Sequence, residues 1–300
     1  MLMKTGQMRA LVACALHRSL RAAAEHLALS HSALTKTIRE LEAELGVPLL
    51  VRSSRGIELT RYGQVAAARA QTILADLRRA GDELAQLRGG RHGRITVGAS
   101  ASMAFFALPP AITRFREKQP GIEIEVIELS MDRTPALLES GVLDFLVVHH
   151  ELPDLPAGCG HDIAGRGSLV AVARRGHPAS SSTTLADLSG HAWIYPGQLV
   201  KRAEFDQVFV RTGAPPPAQV MSSQSAFLTL RLLMDAEMIA LMPRPFVRHA
   251  LFAGHLAELP LADPLPAIAA GTVTRTGICL PPATEQFRQA VLDAIRGLDW

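Results

Sequence analysis

The chain has 300 residues, of which 48% are apolar and 20% charged, with a net charge of +3. This is ample material for the cores of two or three domains, while the longest apolar runs, such as LVVHH and MIALMP, fall far short of the roughly eighteen residues a membrane helix needs. Cys14, Cys159 and Cys279 are odd in number and far apart, which leaves no basis for a disulfide framework or a cysteine zinc site.

Charge divides unevenly along the chain. Residues 1–94 carry 15 Lys and Arg against 8 Asp and Glu, a balance of +7, whereas the remaining 206 carry 16 against 20, a balance of −4. The front segment alone therefore asks for an anionic partner, nucleic acid or a membrane surface, although a solvated basic face gives the same count. At the start, MLMKTGQMRALVACAL has Arg9 inside it, His17 and Arg18 just after it and no cleavage motif. That fits a helix better than a signal peptide and implies a cytoplasmic protein.

Ser19 and Ser30 each stand where an N-cap is expected, before LRAAAEHL and before HSALTKTIRELEAEL. In the second of these helices Leu34, Ile38, Leu41 and Leu45 form one apolar stripe, and Ser32, Thr35, Lys36 and Arg39 share the opposite face. Glu40, Glu42 and Glu44 crowd its C-terminal half and would repel phosphate, so only the N-terminal half is expected to approach DNA closely. A helix-turn-helix docks its second helix that way. Gly46 ends the helix, and VPLLVRSSRGIELT follows as two extended pieces around a turn. This predicts a wing, with Arg52 and Arg55 set for phosphates or the minor groove. The same pattern also fits a three-helix module packed on the rest of the protein with its charged face merely wet.

The order from Ser19 to Gly63, SLRAAAEHLALSHSALTKTIRELEAELGVPLLVRSSRGIELTRYG, closely resembles the N-terminal domain of LysR-type transcriptional regulators. It departs at His31-Ser32, where the family often has Gln-Pro, and at Leu50, where it often has Phe; the first change bears on base preference. On this resemblance the DNA-contacting residues are Ser30, His31, Ser32, Thr35, Lys36, Arg39, Arg52 and Arg55.

Thr60 is the expected cap of a long helix in which Ala66, Ala70, Ile73, Leu77, Ala80, Leu84 and Leu87 alternate spacings of four and three. Such a narrow seam suits a contact between two helices of two protomers, so Ala70, Ile73, Leu77 and Leu84 are expected at a dimer interface. Packing on the helix's own domain is the alternative, and Gly81 beside the seam weakens a coil. Gly89-Gly90-Arg91-His92-Gly93 then marks a linker.

From Arg94 strands and helices alternate. RITVG, IEIEVIEL and DFLVV read as strands with the helices PAITRFREKQPG and PALLESG between them, a βαβ pattern that predicts a parallel sheet. A second set runs through SLVAVAR, a helix KRAEFDQVFVRTG, a strand around Val220, a helix FLTLRLLMDA and the strand MIALMP; AIAAGTVTR and a last helix ATEQFRQAVLDAIRGL then return the chain. Two α/β lobes joined by two crossings are expected. Ligands of open α/β sheets lie outside the carboxyl ends of the strands, where Gly98-Ala99-Ser100-Ala101-Ser102 and Ser222-Ser223-Gln224-Ser225 offer hydroxyls and free amides that suit an anion, or are simply N-caps.

This region resembles, more weakly, the periplasmic-binding-protein-like effector domain of the same regulators, in GVLDFLVV and in the lobe change near Ile163 to Gly167. By position the resemblance implicates Ser100, Ser102, Ser130, Gln198, Ser223 and Ser225 in effector contacts, with Tyr195, His149 and Lys201 as additions. The expected architecture is an N-terminal all-α winged helix-turn-helix (1–60), a long linker helix and hinge (61–93), and a C-terminal α/β two-lobed periplasmic-binding-protein-like domain (94–300). Lobe 1 spans about 94–164 and 268–300, lobe 2 about 165–267.

The expected partners are double-stranded DNA carrying an interrupted palindrome, a small-molecule effector, and further copies of the chain forming a homodimer and then a homotetramer. RNA polymerase is a further candidate, and no cofactor, metal or membrane is expected. The effector is expected to be a small organic anion, an aromatic or short-chain carboxylate or sulfonate, because the serine groups offer neutral donors and no cluster of Arg lies near them. A redox-responsive regulator using Cys159 and Cys279 is the alternative. An enzyme would need a motif such as H-E-x-x-H, G-x-S-x-G, G-x-G-x-x-G or a P-loop, and the sequence has none of them. A constitutive architectural DNA binder would not need a two-lobed domain.

Overall fold

The computed structural model describes residues 3–53, 56–90, 92–128, 134–150, 158–197 and 201–300. At the front, side-chain caps set the helix starts. α1 (Thr5–His17) is followed by α2 (Leu20–His26), where Ser19 Oγ accepts from the Ala22 amide, and by α3 (His31–Leu45), where Ser30 Oγ accepts from the Ala33 amide. The expected stripe is buried at Leu34, Ile38 and Leu41, which meet Leu11 and Cys14 of α1 and Ala23 and Ala24 of α2 in one core, with Leu45 partly buried against it. Strands β1 (Leu50–Ser53) and β2 (Gly56–Leu59) pair antiparallel as the wing. Gly56 has φ +120°, and a Cβ there would stand 2.4 Å from the Arg18 carbonyl oxygen. That carbonyl accepts the Ile57 amide at 3.0 Å, so a glycine is needed to bring the wing against the end of α1.

Thr60 caps α4 (Arg61–Leu87), a helix of 27 residues that packs along α1 at its start. Gly63 permits the join: a Cβ on it would lie 2.1 Å from the Leu49 carbonyl oxygen, so helix and wing backbones are in direct contact.

The remaining strands pair into one continuous sheet. In lobe 1, β3 (Gly93–Ala99) runs parallel to β4 (Ile122–Glu128) and to β5 (Phe145–His150), as the βαβ pattern predicts. α5 (Ala101–Phe106), α6 (Leu108–Lys118) and α7 (Thr134–Glu139) fill the connections. The core of lobe 1 gathers Val97, Met103, Phe115, Phe145 and Phe287. β6 (Cys159–Arg174) is longer than the predicted SLVAVAR. Its first half pairs with β11 (Ala267–Arg275) and its second half with β9 (Met238–Pro243) and β10 (Leu256–Glu258), so it carries the sheet from one lobe to the other.

Lobe 2 adds α8 (Leu185–Leu188), β7 (Ala192–Tyr195), α9 (Arg202–Val210), β8 (Val220–Ser222), α10 (Ala226–Asp235) and α11 (Pro245–Arg248); α12 (Pro282–Arg296) closes on lobe 1. β7 runs parallel to both β8 and β9. Four elements have no counterpart in the sequence reading: α8, β7, β10 and α11. Each is only three or four residues long, too short to show a period, and burial rather than pattern defines them.

Candidate functional site

The polar face of α3 forms as the spacing predicts, but its groups are partly engaged with one another. Ser30 Oγ lies 3.0 Å from Ser32 Oγ, Thr35 Oγ1 donates to the His31 carbonyl at 2.8 Å, and Lys36 Nζ is 3.8 Å from Glu40. His31, Ser32, Lys36 and Arg39 are exposed and Thr35 is half-buried. Arg52 stands on β1 opposite Ile57, while Arg55 lies outside the described residues. The acidic half of α3 has a structural role as well. Glu42 Oε1 accepts the Leu49 and Leu50 amides at 2.7 and 3.1 Å, and Glu44 accepts from Gln7 Nε2 at 3.1 Å. These carboxylates hold the wing and α1 in place, which their spacing on a helix could not reveal.

Along α4 the expected seam is an exposed apolar row, with Ile73 42%, Leu77 53%, Leu84 63% and Leu87 70% accessible. Ala70 departs from it. It is wholly covered within its own chain, so this position serves the protomer's interior and offers no surface to a second copy.

At the carboxyl ends of β3 and β5, Ser102 Oγ lies 2.6 Å from His149 Nδ1 and Ser100 Oγ 3.4 Å from the same nitrogen. Ser100 is the N-cap residue of α5, yet its hydroxyl makes no capping bond. That leaves it directed at the imidazole instead. Ser102 is buried and His149 half-buried, so the group is a shielded, polar end to two parallel strands. At the corresponding ends of β7 and β8, the Ser223 amide donates to the Tyr195 carbonyl at 3.0 Å and Ser223 Oγ accepts the Ser225 amide at 3.1 Å. Ser225 Oγ is taken up as the N-cap of α10. Lys201 lies 3.9 Å from Glu204, and Ser130 and Gln198 fall outside the described residues.

Between the lobes, α5 carries Phe105 and Phe106 into an aromatic cluster with Phe246, His249 and Phe252; the Phe106 and Phe246 centroids are 4.6 Å apart. The helix that begins at the serine pair is therefore anchored in lobe 2.

A second polar group escaped the sequence reading. Asp144, almost wholly buried, accepts from Arg78 Nη2 at 2.9 Å, Arg79 Nη1 at 3.2 Å and the Thr96 amide at 2.9 Å. Arg79 also bonds Asp76 at 2.8 Å, and Asp76 in turn meets Arg275 of β11 at 2.7 Å. Burial pushes the Asp76 carboxyl upward, but its two arginine partners outweigh this and hold it below the usual range. Gly141, at φ +74°, makes room: a Cβ there would be 2.8 Å from both Ala75 Cβ and Arg79 Nη2. The GVLDF run is thus the seat on which α4 docks against lobe 1. Its sequence signal was there, since a charged residue bounding an apolar strand asks for a buried partner, but the partners lie 65 and 66 residues away.

The three cysteines sit in different settings. Burial, followed by the nearby Glu139 carboxylate, raises the Cys159 thiol, and burial pushes Cys14 up to about 11, whereas reactive thiols are lowered. Cys279 is exposed.

Residues 5–64 match the model of a bacterial regulatory helix-turn-helix protein of the lysR family, and residues 88–296 that of the LysR substrate binding domain. Among curated relatives, the HTH-type transcriptional regulator GbpR of Rhizobium radiobacter is 35% identical over 242 residues, covering 78% of this chain and 79% of that protein. The SDS degradation transcriptional activation protein of a Pseudomonas species is 29% identical over 96% of this chain and 95% of its own. In structure the chain is similar to a full-length OxyR variant from Pseudomonas aeruginosa, with a TM-score of 0.72 at 21% identity, 100% of this chain and 96% of the other being covered. It is also similar to full-length CbnR complexed with its target DNA, with a TM-score of 0.66 at 23% identity over 97% and 100%.

Proposed function

Because the chain belongs to the LysR family of DNA-binding transcriptional regulators, which are not enzymes, we propose that it couples recognition of an interrupted palindrome to a small organic anion bound between its lobes. The observation that carries this reading is the Ser100, Ser102 and His149 group, which lies at the carboxyl ends of two parallel strands where such sheets take ligands. Two hydroxyls can turn their protons toward a carboxylate or sulfonate, with the imidazole beside both of them. Ser223 and Tyr195, at the equivalent strand ends of lobe 2, close the site from the other side.

In this reading the exposed N-terminal half of α3 enters the major groove: Ser32, Lys36 and Arg39 face bases and phosphates, with Arg52 and Arg55 on the wing. The row of Ile73, Leu77 and Leu84 joins two protomers, and two such dimers form a tetramer. Among the described residues no helix is long and apolar enough to cross a membrane; with the DNA-binding role, that supports a cytoplasmic site of action.

The test is a thermal-shift panel of aromatic and short-chain carboxylates and sulfonates on the full chain. A true effector raises the melting temperature by mass action and loses that effect in Ser102→Ala. A panel in which only cationic or neutral compounds stabilise the protein would overturn the anion reading.

A further inference from the structure

The crossing from lobe 1 to lobe 2 is made of residues that ought to bend. On β6, Ala164 is the extra residue of a bulge, since Gly165 pairs with Ala270 and Ile163 with Gly271. Gly165 and Gly167 follow. Glycine within a strand marks a place where another group approaches closely, and here that group is Trp300. A Cβ on Gly165 would stand 2.2 Å from Trp300 Nε1, and one on Gly167 would stand 2.9 Å from Trp300 Cβ. Neither glycine has a positive φ in this structure, so it is this space, and not the backbone conformation, that excludes a side chain. Trp300 fills the volume that two side chains of the crossing strand would otherwise occupy, its indole against Gly165 and its Cβ and main chain against Gly167.

The same residue is tied to both lobes. Trp300 Nε1 donates to the Ile295 carbonyl of α12 at 3.1 Å, which fixes the ring to lobe 1. Its own carbonyl accepts from Arg244 Nη1 at 3.5 Å, and Arg244 is held in lobe 2 by two bonds to Glu258 at 3.2 and 3.0 Å. Leu298 packs against the core of lobe 1 and against the aromatic cluster between the lobes. Both attachments are part-buried, and the one to lobe 1 is the shorter. A concavity bordered by Ser168, Arg244 and Pro264 leaves space beside the crossing on the lobe 2 side.

We propose that Trp300 is a positioning residue for the cleft. It wedges against Gly165 and Gly167 and fixes the angle between the lobes in the unliganded protein. Hinges are a few residues that absorb backbone change while the bodies on either side stay rigid, and the bulge with its two glycines has that character. The functional meaning rests on reading the cleft as the effector site; the wedge itself does not.

The experiment is hydrogen exchange by mass spectrometry on the full-length, ligand-free chain and its variants. In Trp300→Ala the amides of 165–169, bonded across to β11 and to Pro266, should exchange at least about tenfold faster, because local opening there no longer has to displace the ring. Peptides from β3, β5 and α12 should stay within about twofold of the parent. Trp300→Phe, which keeps a ring in place, should retain most of the protection. Should Trp300→Ala fail to fold, Gly165→Ala tests the same indole contact from the strand side and should loosen the same segment.

Unaltered exchange at 165–169 in Trp300→Ala would overturn the proposal. So would an equal loosening of α12, β3 and β5, which would make Trp300 part of the lobe 1 core and nothing more. Failure of the effector reading would appear instead as an empty ligand panel, with these ligand-free measurements unchanged.

Discussion

At the front of the chain three helix starts, those of α2, α3 and α4, are set by a side chain that accepts an amide three residues ahead: Ser19 from Ala22, Ser30 from Ala33 and Thr60 from Gly63. In the two-lobed domain the polar groups that matter meet across the chain. Ser102 reaches His149 over 47 residues, and Arg79 reaches Asp144 over 65. The first kind of contact is made by any segment that becomes helical, and it withstands small errors elsewhere. The second exists only when the sheet is complete, so losing one partner strands the other in a buried place. The two regions should therefore answer mutation differently, and four measurements would sharpen or break that contrast.

The largest effect is expected at the clamp. Asp144→Ala leaves the buried Arg79 guanidinium with Asp76 and the Gly141 carbonyl, and the Thr96 amide without its side-chain acceptor, and breaking a buried pair from one side typically costs about 3–5 kcal/mol. Urea unfolding of the full chain would report it. A loss no larger than that of the exposed pair Arg21 and Glu25 would mean that solvent reaches the cluster and that docking of α4 does not depend on it.

The clamp also marks where sequence reading ran out. Caps, the stripe of α3, the wing and nearly all the longer strands of the sheet were legible because they are local and periodic. GVLDFLVV was recognisable as a resemblance, yet nothing in it says that Gly141 and Asp144 face α4. Ser100 and Ser102 could be named from their place after a strand. That His149 Nδ1 stands 2.6 Å from Ser102 needed β3 and β5 to be neighbours. Ala70 shows the converse failure: its position in the heptad is right for a seam, but the protomer itself covers it.

The second measurement sets DNA reading apart from DNA adhesion. Arg39→Ala should lose about 1–3 kcal/mol on the cognate site and much less on random duplex, as expected of a side chain that reaches a base edge. Arg55→Ala should weaken both by similar factors. Gel shifts at fixed salt on the two duplexes decide it, and equal losses for Arg39→Ala would remove α3 from base reading.

The third concerns the cleft and should be of similar or smaller size. Ser102→Ala should weaken the response to an identified anion by about 1–3 kcal/mol, since the ligand oxygen loses its hydroxyl partner. Basal DNA affinity should hold, because among the described residues the side-chain hydrogen bonds of Ser102 stay within the two-lobed domain. Titration calorimetry on both proteins, with gel shifts alongside, would show both. Unaltered affinity in Ser100→Ala as well as Ser102→Ala would move the site elsewhere.

The smallest change is expected from His177 in lobe 2, and its sign follows from how the ring is held. His177 is buried, and its Nδ1 accepts the Ala179 amide at 3.0 Å, which requires that nitrogen to be unprotonated. Burial pushes its pKa below the ordinary histidine value; His191 and Arg174 push the same way, against Glu237, which raises it. The unfolded chain therefore binds this proton at a higher pH than the folded one does. The stability from the neutral ring is fully present above the ordinary histidine pKa, and it is lost as pH falls from there through the lowered folded value. Melting temperatures of the parent should accordingly drop more between pH 7.5 and pH 5.5 than those of His177→Asn, whose amide oxygen can accept from Ala179 without titrating. Parallel pH profiles for the two proteins would show that the ring stays neutral, or is freely protonated, in both folded and unfolded states. Lobe 2 would then resemble the winged module in drawing its stability from local bonds that do not titrate.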